Sequence, residues 1–352
     1  MTQRSAPVET YSRRKTCIKL ASLALAGTTL SWNARAADPV KLRFASWTSD
    51  TEETTLTVFK PFAEAVTKDS GGAVQVDVFP NGVLGRNLVQ QGQMVLDGIA
   101  DFAWVVPAFT PGRFPEIEAF ELPGLFRDLR EATTVFSRIT AAGKIKSFEK
   151  FKFIPIGTVG TDPYSIHTRV PVKSLADLKG LKIRTASSIE ANTLRGLGAV
   201  PVGMTTVEAV EAAARGTIDG TTMHLSPLFD FGFVRVLQHH YFLRLGTVPV
   251  TILMSKAKFD SLPKAGQDAI VKNSGMAIAK LFSDNISAYN AKLMKKLEDD
   301  PKHTVVMPSK ADTDAAQPIF DSAINTWLAK SPDNKLMFDL VQAEIAVARA
   351  GK

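Results

Sequence analysis

The chain has 352 residues, with 42 Lys or Arg, 35 Asp or Glu and a net charge of +7 at pH 7. Six basic residues but only one acidic residue lie in residues 1–36, so residues 37–352 carry 36 basic and 34 acidic side chains, a net charge of +2. Nucleic-acid-binding proteins carry a basic stripe, and the near-neutral remainder therefore predicts no nucleic acid partner. The only cysteine is Cys17, which excludes a disulfide framework.

The first 36 residues have the three parts of an export signal. A basic segment at 12–15 precedes an apolar stretch at 20–30, and small residues follow at 34–36. The apolar stretch is too short for a transmembrane helix, which needs about 20 residues. Paired arginines favour the twin-arginine export route, with the general secretory route as the alternative. We therefore predict cleavage near Ala36 and a periplasmic protein.

Strands and helices alternate in the first half of the remaining chain. Alternating or continuous apolar residues predict strands at 41–46, 74–79 and 101–106. Apolar residues at helical spacing predict helices at 58–66 and 88–99. This rhythm indicates βαβ units and a parallel sheet.

The same rhythm returns later in the chain. Strands are predicted at 181–184, 200–202 and 218–223, with helices at 189–197 and 207–214 between them. The chain therefore contains two α/β halves.

Extended segments connect the two halves. The runs 153–159 and 164–167 form the first crossing, and 248–255 forms the second. Apolar residues then recur at helical spacing from Pro263 onward. A single helix over 263–299 would be about 50 Å long at 1.5 Å per residue, long enough to brace both halves.

Seven short stretches carry recognisable motifs. They are Phe79–Gly85, Asp97–Asp101, Glu121–Pro123, Ser174–Arg184, Leu197–Pro201, Arg215–Gly220 and Met254–Pro263. In this order, between about residue 42 and residue 297, they resemble the DctP-like substrate-binding proteins of tripartite ATP-independent periplasmic (TRAP) transporters. The resemblance implies an α/β, two-domain periplasmic-binding-protein fold with a cleft between the domains, strand crossovers and a long bracing helix.

The domain boundaries follow from the crossings and from this resemblance. We predict an export signal at 1–36, domain I at 37–160 completed by part of 250–352, domain II at 161–249, a long helix at 263–299 spanning both domains, and C-terminal helices at 310–352.

The predicted strand at 181–184 ends in an arginine. In the family that the chain resembles, the arginine at this strand end binds the carboxylate of the ligand, and the role falls here to Arg184. A guanidinium meets a carboxylate with two parallel hydrogen bonds. The alternative is a salt bridge between Arg184 and a structural acid.

Two tryptophans and a methionine suggest the shape of the ligand. Trp47 follows the first strand and Trp104 ends the third, at the edge where open α/β sheets bind ligands. Together with Met223 they would enclose an aromatic or branched monocarboxylate, although core packing is the alternative for each Trp. Further candidate contacts are Thr222, Tyr164, His167, His224, Thr206 and Arg86, with Phe109, Phe114 and Arg113 nearby.

An enzyme is the rival class. The sequence contains no G-x-S-x-G, H-E-x-x-H or C-x-x-C motif. Glu52 and Glu53 are interpreted as solvated charges. We therefore predict no catalytic residue, no metal site and no cofactor, although the resemblance leaves a ligand-bridging cation open.

The predicted protein captures a small organic acid anion and delivers it to the membrane permease subunits of a TRAP transporter. We expect it to act as a monomer. An ABC-type solute-binding protein and a periplasmic ligand sensor, each with the same kind of cleft, are the alternatives. The long helix after Pro263 and the arginine at the strand end favour the TRAP type.

Overall fold

The computed structural model describes residues 38–351, which form two lobes, each built around one β-sheet. The predicted export signal and its cleavage point lie outside these residues. Within residues 38–351, every helix is too short or too polar to span a lipid bilayer.

Eleven strands and twelve α-helices are found in the described chain. The strands are β1 Val40–Ala45, β2 Val74–Phe79, β3 Phe102–Val105, β4 Phe153–Val159, β5 Ser165–Thr168, β6 Lys182–Thr185, β7 Val200–Gly203, β8 Gly220–Met223, β9 His239–Tyr241, β10 Val250–Ser255 and β11 Thr304–Val306. The helices are α1 Lys60–Asp69, α2 Gln91–Leu96, α3 Leu129–Ala141, α4 Lys146–Lys150, α5 Ser188–Gly196, α6 Thr206–Arg215, α7 Leu225–Asp230, α8 Lys256–Asp260, α9 Lys264–Lys272, α10 Met276–Asp299, α11 Lys310–Leu328 and α12 Pro332–Arg349.

Lobe I contains a five-stranded sheet in the order β2-β1-β3-β10-β4. Its first three strands are parallel, whereas β10 runs antiparallel to both of its neighbours. Lobe II contains a six-stranded sheet in the order β11-β9-β5-β8-β6-β7, in which β6 is parallel to β7 and β8. The predicted α/β class and two-domain architecture are confirmed.

An aromatic cluster fills the core of lobe I behind β1. Phe44 on β1 has its ring centroid 4.8 Å from that of Phe59 and 5.9 Å from that of Phe102, and all three side chains are buried. Phe59 ends a π-helical turn, Thr55–Phe59, that leads directly into α1. The cluster therefore fixes this turn, and with it the residues just before it, against the sheet.

The predicted helix over 263–299 is divided in two, so the prediction of one continuous helix was wrong. Gly275 separates α9 from α10 with φ 60° and ψ −120°, a conformation that glycine adopts readily because it has no Cβ. Its N–H donates to the carbonyl of Ile156 on β4 at 2.7 Å. The bracing role is retained, since α10 contacts α3 and β4 of lobe I and α7 and β11 of lobe II.

The C-terminal segment crosses between the lobes again, which the sequence did not predict. Strand β11 pairs with β9 and α11 contacts α5, both in lobe II, whereas Trp327 near the end of α11 donates to Glu118 of lobe I at 3.0 Å. Helix α12 then returns to α3 of lobe I, where Arg349 binds the buried Glu131 carboxylate through two N–H···O contacts of 2.8 and 3.0 Å. The lobes are therefore joined by more than the two predicted strand crossings.

Gly246 lies where the chain passes back from lobe II to lobe I. A Cβ added at this position would lie 1.8 Å from the backbone oxygen of Glu121, in lobe I. On its other side, the Gly246 carbonyl accepts a hydrogen bond from the Tyr164 N–H at 3.0 Å. The crossing therefore requires a residue without a side chain.

Gly246→Ala should lower the free energy of unfolding by about 2–3 kcal/mol, because the backbone at Glu121 cannot rotate away from the added carbon. Gly203→Ala is the matched control, since a Cβ there meets no heavy atom within 4 Å. Urea denaturation of both variants measures the difference. Equal stabilities would contradict the close approach at Gly246.

Candidate functional site

A cavity of about 640 Å³, including its open mouth, lies between the two lobes. Lobe I contributes Trp47 and Trp104 to the lining, lobe II contributes Thr206 and Phe231, and α10 contributes Phe282. Residues from both lobes would therefore contact a molecule in the cavity at the same time.

The walls of this cavity are largely aromatic. The rings of Trp47 and Phe231, from opposite lobes, stack at a centroid distance of 6.0 Å. Trp47 Nε1 donates to the carbonyl of Trp104 at 3.1 Å. Trp104 packs edge-on against Phe59 at 5.1 Å and lies 6.3 Å from Phe282. Trp104 thus belongs both to the core of lobe I and to the cavity wall. The two alternatives predicted from the sequence, core packing and a place at the ligand cleft, both apply to it.

Sheet topology brings the polar groups of lobe II to one edge of the cavity. The parallel strands β6, β7 and β8 end at the same edge, where open α/β sheets bind ligands. Arg184 lies at the end of β6, Thr206 begins α6 just after β7, and His224 follows β8. A capping box between Thr205 and Glu208 fixes the start of α6.

Arg184 is 1% exposed. Its Nε donates to the carbonyl of Met204 at 2.9 Å, and its Nη2 lies 3.5 Å from Thr206 Oγ1. No carboxylate within residues 38–351 approaches it to the 4.0 Å of an ion pair. Burial lowers the pKa of Arg184 from its ordinary value. The structural salt bridge considered as an alternative is therefore absent from the described chain.

The two acids that act electrostatically on Arg184 are occupied elsewhere. Glu190 accepts hydrogen bonds from the Thr185 hydroxyl at 2.5 Å and from the Ala186 N–H at 2.8 Å. Glu208 accepts two hydrogen bonds from Thr205 in the capping box of α6. Both carboxylates thus hold the local turns around Arg184 and leave its remaining N–H groups available.

Tyr164 and His224 line the cavity, and Arg184 lies behind Thr206 of the same lining, with its Nη2 3.5 Å from Thr206 Oγ1. The rings of Tyr164 and His224 stack at a centroid distance of 5.5 Å. Tyr164 is 7% exposed, and its hydroxyl has no hydrogen-bond partner among the residues that the structure describes. Burial raises the pKa of this hydroxyl, and the nearby Arg184 opposes that shift. Burial lowers the pKa of His224 to about 3, so its imidazole is neutral at pH 7.

Five predicted site residues, Arg184 among them, do not line this cavity. Thr222 is buried and donates its hydroxyl to the Arg184 carbonyl at 3.0 Å, so it supports the strand end. Met223 packs in the core of lobe II, and with His167 it faces a second cavity. Arg86 is exposed next to the turn at Gly82. Side chains alternate along β8, and the sequence alone does not reveal which of its faces is directed towards the ligand.

His167 belongs to a chain of three histidines. Its Nε2 bonds to the Met223 carbonyl at 3.1 Å, and its Nδ1 lies 2.9 Å from His240 Nδ1. His240 Nε2 lies 2.9 Å from His303 Nδ1. Since a carbonyl accepts only, the Nε2 of His167 must carry the proton and its Nδ1 must accept. Both ring nitrogens of His167 are therefore occupied within lobe II.

Arg113 and Phe114 also lie away from the cavity, whereas Phe109 lines it. The Arg113 guanidinium lies between 5.1 and 5.9 Å from the ring centroids of Phe114, Phe151 and Phe153. Cation–π contacts of this length hold the arginine against the aromatic side chains of lobe I.

Two acids at the cavity were not predicted to lie there. Glu52 and Asp230 line it from opposite lobes, so the interpretation of Glu52 as a solvated charge was wrong. Burial, followed by the charge of Asp230, raises the pKa of Glu52 to about 7. Burial raises the pKa of Asp230 to about 6. Within residues 38–351, no group of three His, Cys, Asp or Glu side chains could hold a metal ion.

Glu121 is a further buried acid between the lobes. It is 4% exposed, and burial raises its pKa to about 8, although a hydrogen bond to the Ser187 side chain in lobe II opposes the shift. The charges of Glu118 and Glu190 raise the pKa further. The carboxyl group is therefore largely protonated at pH 7 and connects lobe I to lobe II.

The chain belongs to the bacterial extracellular solute-binding proteins of family 7, the DctP family, whose profile matches residues 44–330. Proteins of this family are periplasmic and bind solutes for TRAP transporters, so the family, the transport role and the absence of enzyme activity are confirmed. Membership also favours the TRAP type over the ABC-type alternative.

Individual relatives differ in their ligands. A solute-binding protein of Verminephrobacter eiseniae is 32% identical over 60% of this chain and 63% of its own length. The C4-dicarboxylate-binding periplasmic protein DctP of Rhodobacter capsulatus is 27% identical over 68% of this chain and 72% of its own length. A TRAP solute-binding protein from an unidentified marine microbe, specific for aromatic acid ligands and crystallised with 3-hydroxybenzoate, is 27% identical with a TM-score of 0.82, covering 88% of this chain and 98% of that one.

Glu121→Gln should remove the part of the pH dependence of the melting temperature that arises from the titration of Glu121. The pKa of Glu121 is about 8 in the folded protein and 4.5 as its ordinary value, so its stabilising effect is complete below 4.5 and is lost as the pH rises through 8. The melting temperature of the unmodified protein should therefore fall, relative to that of Glu121→Gln, between pH 5 and about pH 9.

Glu64→Gln, at an exposed acid on α1, serves as the control and should follow the unmodified protein across this range. If the melting temperatures of all three proteins changed with pH in the same way, Glu121 would not take up a proton on folding.

Proposed function

We propose that this family 7 protein binds a small aromatic monocarboxylate in the cavity between its lobes and delivers it to the membrane permease subunits of a TRAP transporter. The observation that carries the proposal is Arg184, a buried guanidinium without a carboxylate partner. Removing a charge from water costs several kcal/mol unless an opposite charge is close. A ligand carboxylate would supply that charge.

The anion would be held by donors from two residues of lobe II. A guanidinium has five N–H groups, and the contacts of Arg184 with Met204 and Thr206 occupy two of them. The hydroxyl of Tyr164 adds another donor next to Arg184. Charge-assisted hydrogen bonds of this kind are about twice as strong as neutral ones. A single carboxylate fits this set of donors.

The rest of the ligand would be a flat, apolar ring. Trp47 and Phe231 lie on one side of the cavity and stack on each other across the lobes, while Trp104 and Phe282 form another part of the wall. Aromatic rings favour offset-stacked or edge-to-face contacts with walls of this type. The similar marine protein that is specific for aromatic acids supports the same ligand class.

Binding would favour a closed arrangement of the two lobes. The Trp47–Phe231 stack joins one lobe to the other, so it would be lost on opening. We expect the hinge at 157–162 and 246–249. The ligand shifts the equilibrium only by its higher affinity for the closed form.

In the cell, the signal at 1–36 would direct export, with cleavage near Ala36. The protein would then act as a periplasmic monomer without a cofactor or nucleic acid partner. Its complex with the ligand, rather than the free protein, would be the form that docks on the permease.

Arg184→Met should leave the unliganded protein as stable as before, or more so, because it replaces a buried, unpaired charge with an apolar side chain. It should weaken benzoate binding by about 100-fold or more, since two charge-assisted hydrogen bonds are lost. Urea denaturation measures the first effect and isothermal titration calorimetry the second.

Arg86→Gln is the matched control, because Arg86 is exposed and lies outside the cavity lining. It should bind benzoate as the unmodified protein does. If Arg184→Met bound benzoate normally but unfolded more easily, the arginine would be structural and the proposal would be wrong.

Trp47→Ala should weaken benzoate binding by about 10-fold to 100-fold through loss of ring contacts, with a smaller effect on stability than on affinity. Trp47 is half-buried, unlike Trp104. Calorimetry and thermal unfolding of the same preparation separate the two effects. A large loss of stability with unchanged affinity would assign Trp47 to the core.

A further inference from the structure

Two carboxyl groups line the cavity, and each comes from a different lobe. Glu52 precedes the π-helical turn of lobe I, and Asp230 ends α7 of lobe II, directly before Phe231. Both residues line the same cavity as the aromatic walls. They are therefore able to act together on one ligand when the lobes are close.

The carboxylates of Glu52 and Asp230 have hydrogen-bond acceptor positions that no basic side chain of the described chain occupies. Glu52 accepts from the Thr54 hydroxyl at 2.9 Å and from the Thr55 N–H at 3.2 Å. Asp230 Oδ1 accepts from the Tyr289 hydroxyl at 2.7 Å. A carboxylate has about four acceptor positions. Neither acid forms an ion pair with a Lys or Arg among residues 38–351, so acceptor positions remain for a further donor.

The acids share the cavity with polar groups of lobe II. Thr206 and Tyr164 line it together with Glu52 and Asp230, and Arg184 Nη2 lies 3.5 Å from Thr206 Oγ1. Tyr164, which is 7% exposed with its hydroxyl unpartnered in the described chain, independently indicates that the cavity is built for a ligand. Hydrogen-bond donors, acidic acceptors and aromatic side chains thus line one cavity.

We infer that the ligand is an aromatic monocarboxylate whose ring carries a hydrogen-bond donor, a hydroxyl or amino group, received by Glu52 and Asp230. This inference rests on the proposed function and defines the ligand class of that site. A ring substituent that only accepts hydrogen bonds would leave the acids without a partner. A second carboxylate would be repelled, so Glu52 and Asp230 also exclude aromatic dicarboxylates.

The test is a matched ligand series measured by isothermal titration calorimetry at pH 7.5. The ligands are benzoate, the 3- and 4-isomers of hydroxybenzoate, aminobenzoate and methoxybenzoate, and benzene-1,3-dicarboxylate. At least one hydroxy or amino isomer should bind about 10-fold or more tightly than benzoate and than its own methoxy analogue. The dicarboxylate should bind about 10-fold or more weakly than benzoate.

Three variants test whether a preference for ring hydroxyl or amino groups depends on Glu52 and Asp230. The ratio of the affinities for the preferred hydroxy or amino acid and for benzoate should fall to about threefold or less in Glu52→Gln and in Asp230→Asn. Glu64→Gln, at the exposed acid on α1, should leave the ratio unchanged. Circular dichroism of each variant confirms folding before titration.

Two results would overturn the inference while leaving the proposed function intact. One is that benzoate and all its donor-bearing derivatives bind the unmodified protein within threefold of each other. The other is that a preference exists but persists in both Glu52→Gln and Asp230→Asn. Failure of every aromatic monocarboxylate to bind would instead overturn the proposed function, and the inference with it.

Discussion

The site depends on a buried guanidinium that the protein itself does not neutralise. Arg184 is held at the end of β6 by contacts with Met204 and Thr206, while Glu190 and Glu208 fix the turns around it rather than pairing with it. An unpaired buried charge destabilises the folded chain. The cavity, its aromatic walls and the closure of the lobes can be understood as the means by which an external carboxylate completes this pair.

The same logic extends to three acids between the lobes, of which Glu121 is buried. Glu121 is largely protonated at neutral pH, and Glu52 and Asp230 face the cavity with raised pKa values. Each of these groups is disfavoured as an ion when the lobes are together. Without ligand, the closed form is therefore only slightly more stable than the open form. A modest binding free energy is then enough to shift the balance between the two forms.

The sequence predicted the strands of both α/β halves because their apolar patterns are local. The motif that ends at Arg184 predicted this arginine as the carboxylate ligand, and the ends of the first and third strands predicted that both tryptophans face the cleft, where they line the cavity. The sequence predicted one continuous helix with Gly275 as a bending point rather than a break, since helical spacing continues across this residue and the cause of the break is a contact with Ile156 on another element. It also missed Glu52, because nothing in the local pattern indicates that Asp230 faces it from the other lobe. Pairing across the cleft is a tertiary property, which explains both failures.

If Arg184 is kept unpaired for the carboxylate of the ligand, the ligand must bind directly to its guanidinium. A crystal structure of the mature protein with benzoate tests this binding mode. We expect a carboxylate with oxygens about 2.7–3.2 Å from the guanidinium of Arg184 and from the hydroxyl of Tyr164, with the ring between the Trp47–Phe231 stack and the wall of Trp104 and Phe282. A benzoate bound elsewhere, with Arg184 still surrounded only by protein, would contradict this binding mode.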